Sequence, residues 1–313
     1  MYRIGIDLGG TFVKAGLVDE NGKIIIKSKI PTLVKRDHAE VIDDMSAQAK
    51  KLCLDAGVDF AEVVSVGIGC PGAITGSTGE VSYSCNLDWR NVPLGGMLSE
   101  RLGKPVKVSN DANVAALGEA LYGAGKNYSD IIMLTLGTGV GGGIVIGKKL
   151  YEGNESKGAE LGHMVICSGG ERCACGRRGC FEAYCSASAL IRDTKRAMEK
   201  DGSSLMWEIA GGSIDGVNGE TAFIAEKRGD KSAAEVIERY VFYLAEGIMN
   251  FCNIFRPQAI VLGGGVSEQG ANLTDRVTEL CRKGYYGYKG TPEVEILTAA
   301  LKNDAGLIGA AFL

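Results

Sequence analysis

Four residues in the middle of the chain have the types and spacing of metal ligands. His163, one of only two histidines, precedes Cys173 by ten residues, and Cys175 and Cys180 follow. One imidazole and three thiolates are the donor set of a closed tetrahedral zinc site. The spacing therefore predicts a structural zinc ion bound by these four residues. The alternative is a group of reduced thiols buried as small apolar side chains.

Glycine-rich turns after apolar strands are the second feature that could do chemistry. There are three of them: Asp7-Leu8-Gly9-Gly10-Thr11, Leu136-Gly137-Thr138-Gly139 and Gly263-Gly264-Gly265. A second strand follows each of the first two turns, whereas a dinucleotide-binding fingerprint must open a helix. The P-loop pattern G-x-x-x-x-G-K-[ST] does not occur in the sequence. Both of these common nucleotide motifs are therefore excluded.

Strand–turn–strand units of this kind can still bind phosphate, because glycine leaves the backbone N–H groups open to an anion. We expect the two turns that contain threonine to face each other across a cleft and to hold the β- and γ-phosphates of ATP. The third turn is expected to lie against adenosine, and Asp7 is placed to hold Mg²⁺ through water. Plain hairpin turns without a ligand are the alternative interpretation.

Asp111 lies between a predicted strand and a predicted helix, in Ser109-Asn110-Asp111-Ala112-Asn113. One interpretation is that it caps the helix N-terminus. The other is that its carboxylate accepts the proton from an attacking hydroxyl, as transfer of a phosphoryl group from ATP to an alcohol requires. Both interpretations use the same local geometry.

Several polar residues near these motifs suit a ligand with many hydroxyl groups. Asn110, Glu160, His163 and Glu182 can each donate to or accept from one hydroxyl. His163 could bind zinc through one ring nitrogen and the polyol through the other. Zinc would then orient the imidazole instead of acting as a Lewis acid, because four protein ligands leave no open position.

The elements that must position these residues alternate between strand and helix, which indicates an α/β architecture. Hydrophobic periodicity predicts helices at residues 38–56, ending at Gly57, and at 112–122, 232–255 and 304–312. Ser232 and Glu235 form a predicted capping box for the third of these helices. Strands are predicted at residues 2–7, 13–18, 63–68, 106–109, 130–135, 144–146, 259–262 and 294–297.

Composition narrows the class of protein. A chain of 313 residues usually forms more than one lobe, and we place the boundary near Asn110 to Ala112. A net charge of −4 argues against a sequence-independent nucleic-acid-binding protein. The ten cysteines lack the spacing of a disulfide framework. The first strand directly follows Met1, and no apolar run is long enough to span a bilayer, so we expect a protein of the reducing cytoplasm.

Five segments, in this order and spacing, resemble the ROK family (repressor, open reading frame, kinase): residues 7–11, 110–113, 136–143, 160–163 and 173–182. Residues 303–310 are similar to the C-terminus of that family. The resemblance implies an actin-like (ribonuclease H-like), two-lobed sugar-kinase fold that closes around sugar and ATP. The expected division is a small α/β lobe at residues 1–111, to which the C-terminal helix at 303–313 could return, and a large α/β lobe at 112–302 with a zinc knuckle at 163–182.

Site residues follow from this resemblance position by position. Asp111 matches the catalytic base of the family. The expected sugar ligands are Gly72, Asn86, Asn110, Asp111, Glu160, His163 and Glu182. The expected nucleotide-binding residues are Asp7, Gly9, Gly10, Thr11, Gly137, Thr138, Gly139, Gly264 and Gly265. The expected zinc ligands are His163, Cys173, Cys175 and Cys180.

The function that the resemblance implies is that of a bacterial glucokinase, which transfers a phosphoryl group from ATP to the 6-hydroxyl of glucose. A ROK kinase for mannose, fructose, N-acetylglucosamine or N-acetylmannosamine is the alternative, and polyphosphate is a second possible donor. A sugar-responsive regulator is disfavoured, because ROK repressors carry a winged helix-turn-helix before the first strand. The implied partners are a sugar and ATP, with no nucleic acid or membrane, in a homodimer or homotetramer.

Overall fold

Strands predominate in residues 2–151, and five successive α-helices lie in residues 182–255. The computed structural model describes residues 1–282 and 284–313. The strands in these residues are β1 (Tyr2–Leu8), β2 (Phe12–Asp19), β3 (Ile24–Pro31), β4 (Val63–Cys70), β5 (Ala73–Thr75), β6 (Glu80–Ser84), β7 (Trp89–Val92), β8 (Val106–Asn110), β9 (Ile131–Leu136), β10 (Val140–Ile146), β11 (Lys149–Tyr151), β12 (Ala259–Gly263) and β13 (Glu295–Thr298).

The same residues form ten α-helices. They are α1 (His38–Ala56), α2 (Leu94–Leu102), α3 (Asp111–Tyr122), α4 (Glu182–Cys185), α5 (Ala187–Lys200), α6 (Met206–Ile209), α7 (Thr221–Lys227), α8 (Lys231–Phe255), α9 (Ala271–Cys281) and α10 (Ala305–Ala311). Short 3₁₀ helices occur at Phe60–Glu62, Asn154–Ser156, Leu161–His163, Ile214–Gly216, Gly265–Gln269 and Lys302–Asp304.

The first sheet brings the carboxyl ends of three strands together. Its strand order is β3-β2-β1-β4-β8. β1 and β4 are parallel, with Asp7 opposite Gly69, and β4 and β8 are parallel, with Cys70 opposite Asn110. The carboxyl ends of these three strands therefore lie at one edge of the sheet. Asp111 follows at that edge as the first residue of α3.

Helices cover both faces of this sheet. Ile4 and Ile6 point to the face that carries α1, where Val41 and Met45 are buried with them. Gly5 lies between them, so it faces the other way, and a Cβ there would overlap the backbone carbonyl of Leu307 in α10. The glycine allows α10 to approach the strand backbone closely.

A second sheet has the order β11-β10-β9-β12-β13, with β12 and β13 parallel. β5, β6 and β7 form a small antiparallel sheet. α8 is the longest helix, with 25 residues, and it contacts α5, α7 and α9. Its apolar stripe is buried, as the sequence periodicity predicts.

The chain forms two compact units, and the first of them is discontinuous. It comprises Met1–Met133, Gly142–Ala159 and Ala299–Leu313, and the second comprises Leu134–Gly141 and Glu160–Thr298. This division differs from the expected boundary after Asp111, because α3 packs against α10 within the first unit. The C-terminal helix belongs to the first unit, where Gly309 lies directly against the backbone of Val114.

Several element predictions are confirmed by the structure. The first helix spans the expected residues, and Gly57 after it has a φ of 66° in the left-handed region. The capping box at Ser232 and Glu235 is wrong, because Asp230 is the N-cap of α8 and accepts from the backbone N–H of Ala233. The last helix is shorter than predicted, since a 3₁₀ turn precedes it. Within residues 1–282 and 284–313, no helix is both long and apolar enough to cross a membrane.

Candidate functional site

The side chain of Asn110 fixes the junction between β8 and α3 through two hydrogen bonds. Asn110 is the N-cap of α3, and its Oδ1 accepts from the backbone N–H of Ala112 at 2.9 Å. Its Nδ2 donates to the carbonyl of Gly72 at 3.3 Å. Asp111 is therefore the first helical residue and not the N-cap. The expected sugar ligands Asn110 and Gly72 are in contact.

Asp111 has the environment of a base. Partial desolvation by the surrounding protein raises the pKa of Asp111 above its ordinary value of 3.8; the N–H of Ala112 opposes this, and the nearby Asp7 carboxylate adds to it. One carboxylate oxygen accepts from that N–H at 2.9 Å. The side chain also contacts solvent. A carboxylate with a raised pKa accepts a proton more readily.

Asp7 forms an ion pair within the same sheet. Lys14 lies opposite it in the register of β1 and β2, and the Lys14 Nζ lies 2.8 Å from the Asp7 Oδ2. The following turn is closed by a bond from the Gly9 N–H to the Phe12 carbonyl at 3.0 Å. Asp7 and the turn thus form one local unit at the edge where Asp111 lies.

Thr32 supports this turn, although the sequence did not single it out. Its N–H donates to the Thr11 carbonyl at 2.9 Å, and its hydroxyl donates to the Gly9 carbonyl at 2.6 Å. Gly10 lies against the segment between β6 and β7, where a Cβ would be 2.7 Å from the carbonyl oxygen of Asn86. The structure therefore places the expected sugar ligand Asn86 beside the first glycine turn.

In the second unit, the start of α5 forms hydrogen bonds with the turn between β9 and β10. The Gly137 N–H donates to the Gly139 carbonyl at 3.0 Å. The Ala187 N–H donates to the Gly137 carbonyl at 2.7 Å, and the Ser188 hydroxyl donates to the Thr138 carbonyl at 2.8 Å. These bonds use carbonyls of the turn and fix its backbone.

The third glycine turn lies beside the end of β9. Gly264 has a φ of 82°, and a Cβ there would lie within 2.7 Å of the backbone of Leu136. Only glycine fits both the conformation and the contact. A 3₁₀ helix begins at Gly265, and the Ser267 hydroxyl closes onto the Gly264 carbonyl at 2.7 Å. The second and third glycine turns are therefore neighbours within one unit.

The four predicted zinc ligands converge. Their donor atoms all lie within 4.8 Å of one another. The Cys173 Sγ is 3.7 Å from the His163 Nδ1, and the Cys175 Sγ is 3.7 Å from the Cys180 Sγ. Tetrahedral zinc with Zn–S bonds of about 2.3 Å separates two sulfurs by about 3.7–3.8 Å. The donor set therefore fits zinc in both chemistry and spacing.

The knuckle that carries these ligands is built from tight turns. Val165 pairs with Cys180, and Arg172 pairs with Arg178. Gly179 has a φ of 83°, and a Cβ there would overlap a carbonyl of the neighbouring turn. Burial raises the pKa of the Cys173 thiol to about 12, so a thiolate at this position requires a cation.

Glu182 links the knuckle to the second glycine turn. Its Oε2 accepts from the Val140 N–H at 3.0 Å, and its Oε1 is 3.5 Å from the Cys173 Sγ. A side chain at Gly139 would overlap this carboxylate. The sequence had suggested Glu182 only as a sugar ligand, and the contact with the turn was not visible in the local pattern.

His163 and Glu160 lie at the start of the knuckle. The His163 N–H donates to the Glu160 carbonyl at 3.0 Å in the 3₁₀ turn Leu161–His163. Because Nδ1 faces the thiol cluster, Nε2 is the ring nitrogen left for another group. The Glu160 side chain is exposed. Glu160, His163 and Glu182 thus lie within one short stretch of the second unit.

Comparison with known proteins gives full-length matches. The model of the ROK family matches residues 3–313. A glucokinase of Thermotoga maritima is 39% identical over 313 residues, which covers 98% of this chain and 95% of the relative. A glucokinase of Streptomyces coelicolor is 36% identical over 312 residues, covering 99% and 96%.

A solved structure matches to the same extent. The ROK family glucokinase from Streptomyces griseus, in complex with glucose and AMPPNP, has 36% sequence identity and a TM-score of 0.80. The match covers 100% of this chain and 98% of that one. The predicted actin-like sugar-kinase fold is thereby confirmed.

Proposed function

This chain belongs to the ROK family, and we propose that it is a glucokinase that transfers the terminal phosphoryl group of ATP to the 6-hydroxyl of glucose. The observation that carries this function is the full-length similarity, at 39% and 36% identity, to relatives named glucokinase. The structural neighbour that holds glucose and AMPPNP supports the same pair of substrates.

We assign the role of base to Asp111. Its carboxylate takes the proton of the sugar hydroxyl as that oxygen attacks the γ-phosphorus. The new bond joins the hydroxyl oxygen to phosphorus, and the bond between the γ-phosphorus and the bridging oxygen breaks to release ADP. The raised pKa of Asp111 and its place beside Asp7 at the sheet edge support this role.

Sugar ligands are assigned in each unit separately. In the first unit they are Gly72, Asn86 and Asn110, and the bond from Asn110 to Gly72 supports placing these two in one site. In the second unit they are Glu160, His163 and Glu182. Amide, imidazole and carboxylate groups each fix the direction of one hydroxyl. A site that hydrogen-bonds a hydroxyl rejects sugars that lack it.

Nucleotide ligands are assigned in the same way. In the first unit they are Asp7, Gly9, Gly10 and Thr11, and in the second they are Gly137, Thr138, Gly139, Gly264 and Gly265. Backbone N–H groups at glycine turns suit phosphate oxygens, although those of Gly9 and Gly137 donate to the carbonyls of Phe12 and Gly139 in this structure. When bound, Mg²⁺ would neutralise charge on the β- and γ-phosphates, with Asp7 holding it through water.

Zinc is assigned a structural role. His163, Cys173, Cys175 and Cys180 supply four ligands, which leave no open position for catalysis. When bound, zinc would fix the knuckle and the orientation of the His163 imidazole. Glu182 contacts Cys173 and the second glycine turn, so a fixed knuckle would also fix that turn.

A panel of hexoses tests the substrate. The purified protein is supplied with ATP, Mg²⁺ and one sugar at a time: glucose, mannose, fructose, N-acetylglucosamine or N-acetylmannosamine. A coupled colorimetric assay measures the ADP that forms. We expect the highest kcat/KM with glucose. A preference for another sugar would change the assigned substrate but keep the assignment as a hexose kinase. ADP formation that does not depend on a hexose would overturn the kinase assignment. Polyphosphate in place of ATP tests the donor.

We further propose a homodimer or homotetramer in the cytoplasm that binds no nucleic acid. The net charge of −4 supports the last point, because non-specific nucleic-acid binding depends on clustered cations. Light scattering after size exclusion measures the oligomer. A retarded band with duplex DNA at low salt would contradict the exclusion of nucleic acid.

A further inference from the structure

We propose that Glu152 is a positioning residue for the base, a role that rests on the proposed function. Glu152 directly follows β11 and lies in the same unit as Asp111. It is remote from Asp111 in sequence and forms part of none of the recognised motifs. Its carboxylate holds the strand–helix junction that carries Asn110 and Asp111.

One oxygen of Glu152 bonds to both sides of this junction. The Ser109 hydroxyl, which immediately precedes Asn110 in the chain, donates to the Glu152 Oε1. The Asn113 Nδ2, in the first turn of α3, donates to the same oxygen at 3.3 Å. The two donors flank Asn110 and Asp111 in sequence. A single carboxylate oxygen therefore fixes the end of β8 relative to the start of α3.

The burial of the two donors makes this bond necessary. Ser109 is 2% exposed and Asn113 is 4% exposed. A buried polar group that loses its partner carries the full cost of its desolvation. Without the Glu152 carboxylate, the hydroxyl and the amide would have to rotate or shift toward water. A shift of this kind would displace the backbone on one side of Asp111.

The loop that carries Glu152 is itself held in place. The Gly158 N–H donates to the Glu152 carbonyl at 2.7 Å, and the Ser156 hydroxyl donates to the Glu152 Oε2 at 3.3 Å. The side chain also borders a cavity of about 540 Å³. Truncation of Glu152 therefore enlarges an existing cavity and does not create a sealed void, so we expect the variants to fold.

The expected effect is on the chemical step, because a small misplacement of a catalytic group lowers the rate more than it weakens binding. Glu152→Ala is expected to lower kcat about tenfold, with the Kd for AMPPNP unchanged within about twofold. Glu152→Gln keeps an oxygen that can accept from Ser109 and Asn113. We expect it to retain kcat within about threefold of the wild type.

The experiment measures kcat, both KM values and calorimetric nucleotide binding for these variants. Glu155→Ala is the matched control, since Glu155 is an exposed carboxylate in the same loop that pairs only with Lys157 among the described contacts. Nucleotide-binding stoichiometry gives the fraction of folded enzyme. A merely structural role would lower that fraction and leave kcat per binding site unchanged.

Ser109→Ala removes the bond between Ser109 and Glu152 by deleting its donor, so it tests the positioning role independently. Ser109→Ala should lose kcat but no more than Glu152→Ala does, because the bond from Asn113 to Glu152 remains, and the double variant should lose no more than Glu152→Ala alone. A kcat for Glu152→Ala within about twofold of the Glu155→Ala control would overturn the positioning role. So would additive losses in the double variant. If Glu152→Ala does not fold, unchanged kcat in Ser109→Ala overturns the role and a loss supports it.

The failure of the positioning role differs from the failure of the proposed function. Wild-type protein that phosphorylates no hexose would overturn both. Active wild-type enzyme with an unaffected kcat in Glu152→Ala and Ser109→Ala would overturn the positioning role alone.

Discussion

Asp111 combines solvent contact with a raised pKa, and its chemistry can be tested by removing only the charge. Asp111→Asn keeps the shape and the oxygen that accepts from Ala112. We expect kcat to fall by about 10²–10⁴, the usual contribution of a general base. The matched control is Asp215→Asn, because Asp215 is 92% exposed on a 3₁₀ turn. Steady-state turnover with ATP and glucose measures both variants.

The raised pKa of Asp111 predicts that activity and stability change in opposite directions with pH. Deprotonation is required of a base, so kcat/KM should rise with pH through a pKa above the ordinary 3.8. In the folded state the proton is bound more tightly than in the unfolded state. Stability from this group is therefore present below the unfolded pKa and declines as pH rises through the folded one.

Asp111→Asn should accordingly gain stability relative to wild type as pH rises. We expect a higher Tm for the variant at about pH 7.5 and a smaller difference at about pH 5. Differential scanning calorimetry at both pH values measures this. A Tm difference between variant and wild type that does not increase from about pH 5 to about pH 7.5 would contradict the raised pKa.

At the residue scale, the sequence reveals groups whose partners are close along the chain. Asp111 and the four expected metal donors were predicted because each lies in a short, unusual pattern. Glu152 was not found, because its bonds to Ser109 and Asn113 span 43 and 39 residues. Nothing around Glu152 in the sequence distinguishes it from the exposed Glu155.

At the scale of elements, the knuckle at residues 163–182 should depend on its metal. Metal analysis is expected to find about one zinc per chain, since four ligands satisfy one tetrahedral ion. Cys180→Ser should lose zinc and lower the Tm, because structural zinc contributes directly to folding. Cys167→Ser removes a thiol of the same segment outside the donor set and should retain zinc. Active, stable protein without zinc would contradict the assignment.

The attachment of the C-terminal segment to α3 is a second element-scale feature. Glu119 of α3 is fully buried and accepts from the backbone N–H groups of Ala124, Ala300 and Leu301 at 2.7, 3.1 and 2.7 Å. This carboxylate anchors the chain where it re-enters the first unit at Ala299. A buried charge with three donors is well satisfied.

Glu119→Leu should therefore be strongly destabilising. It leaves three N–H groups without an acceptor, and we expect a loss on the order of 3–5 kcal/mol in the free energy of unfolding. Glu100→Leu on the exposed side of α2 is the control, with a change within about 0.5 kcal/mol. Urea unfolding followed by circular dichroism measures both. A loss below about 1 kcal/mol for Glu119→Leu would contradict the anchoring role.

Periodicity predicted the existence of α1, α3, α8 and α10 but not of α5 or α9. Helix ends depended on which polar residue accepted from the free N–H groups. Ser232 and Glu235 have the spacing of a capping box, yet Asp230 caps α8 two residues earlier. Its second oxygen also accepts from Ser204 and Leu205, which lie 26 and 25 residues away. This tertiary contact fixes Asp230 at the helix start, and the local pattern does not contain it.

At the scale of the whole molecule, the division into units was the feature that the sequence described least well. The chain enters the first unit three times, at Met1, Gly142 and Ala299. The return of α10 depends on backbone contacts, because Gly5 and Gly67 accommodate the carbonyls of Leu307 and Ala310. Because glycine has no side chain, its contacts with α10 leave no hydrophobic pattern in the sequence.

Product analysis tests the central claim most directly. The wild-type protein is incubated with glucose, ATP and Mg²⁺, and the products are identified by phosphorus and proton NMR beside a parallel reaction with 6-deoxyglucose. We expect equal amounts of ADP and glucose 6-phosphate, and no phosphorylated product from 6-deoxyglucose. Phosphate on another hydroxyl, or turnover of 6-deoxyglucose, would contradict transfer to the 6-hydroxyl, and the absence of any sugar phosphate would contradict the kinase.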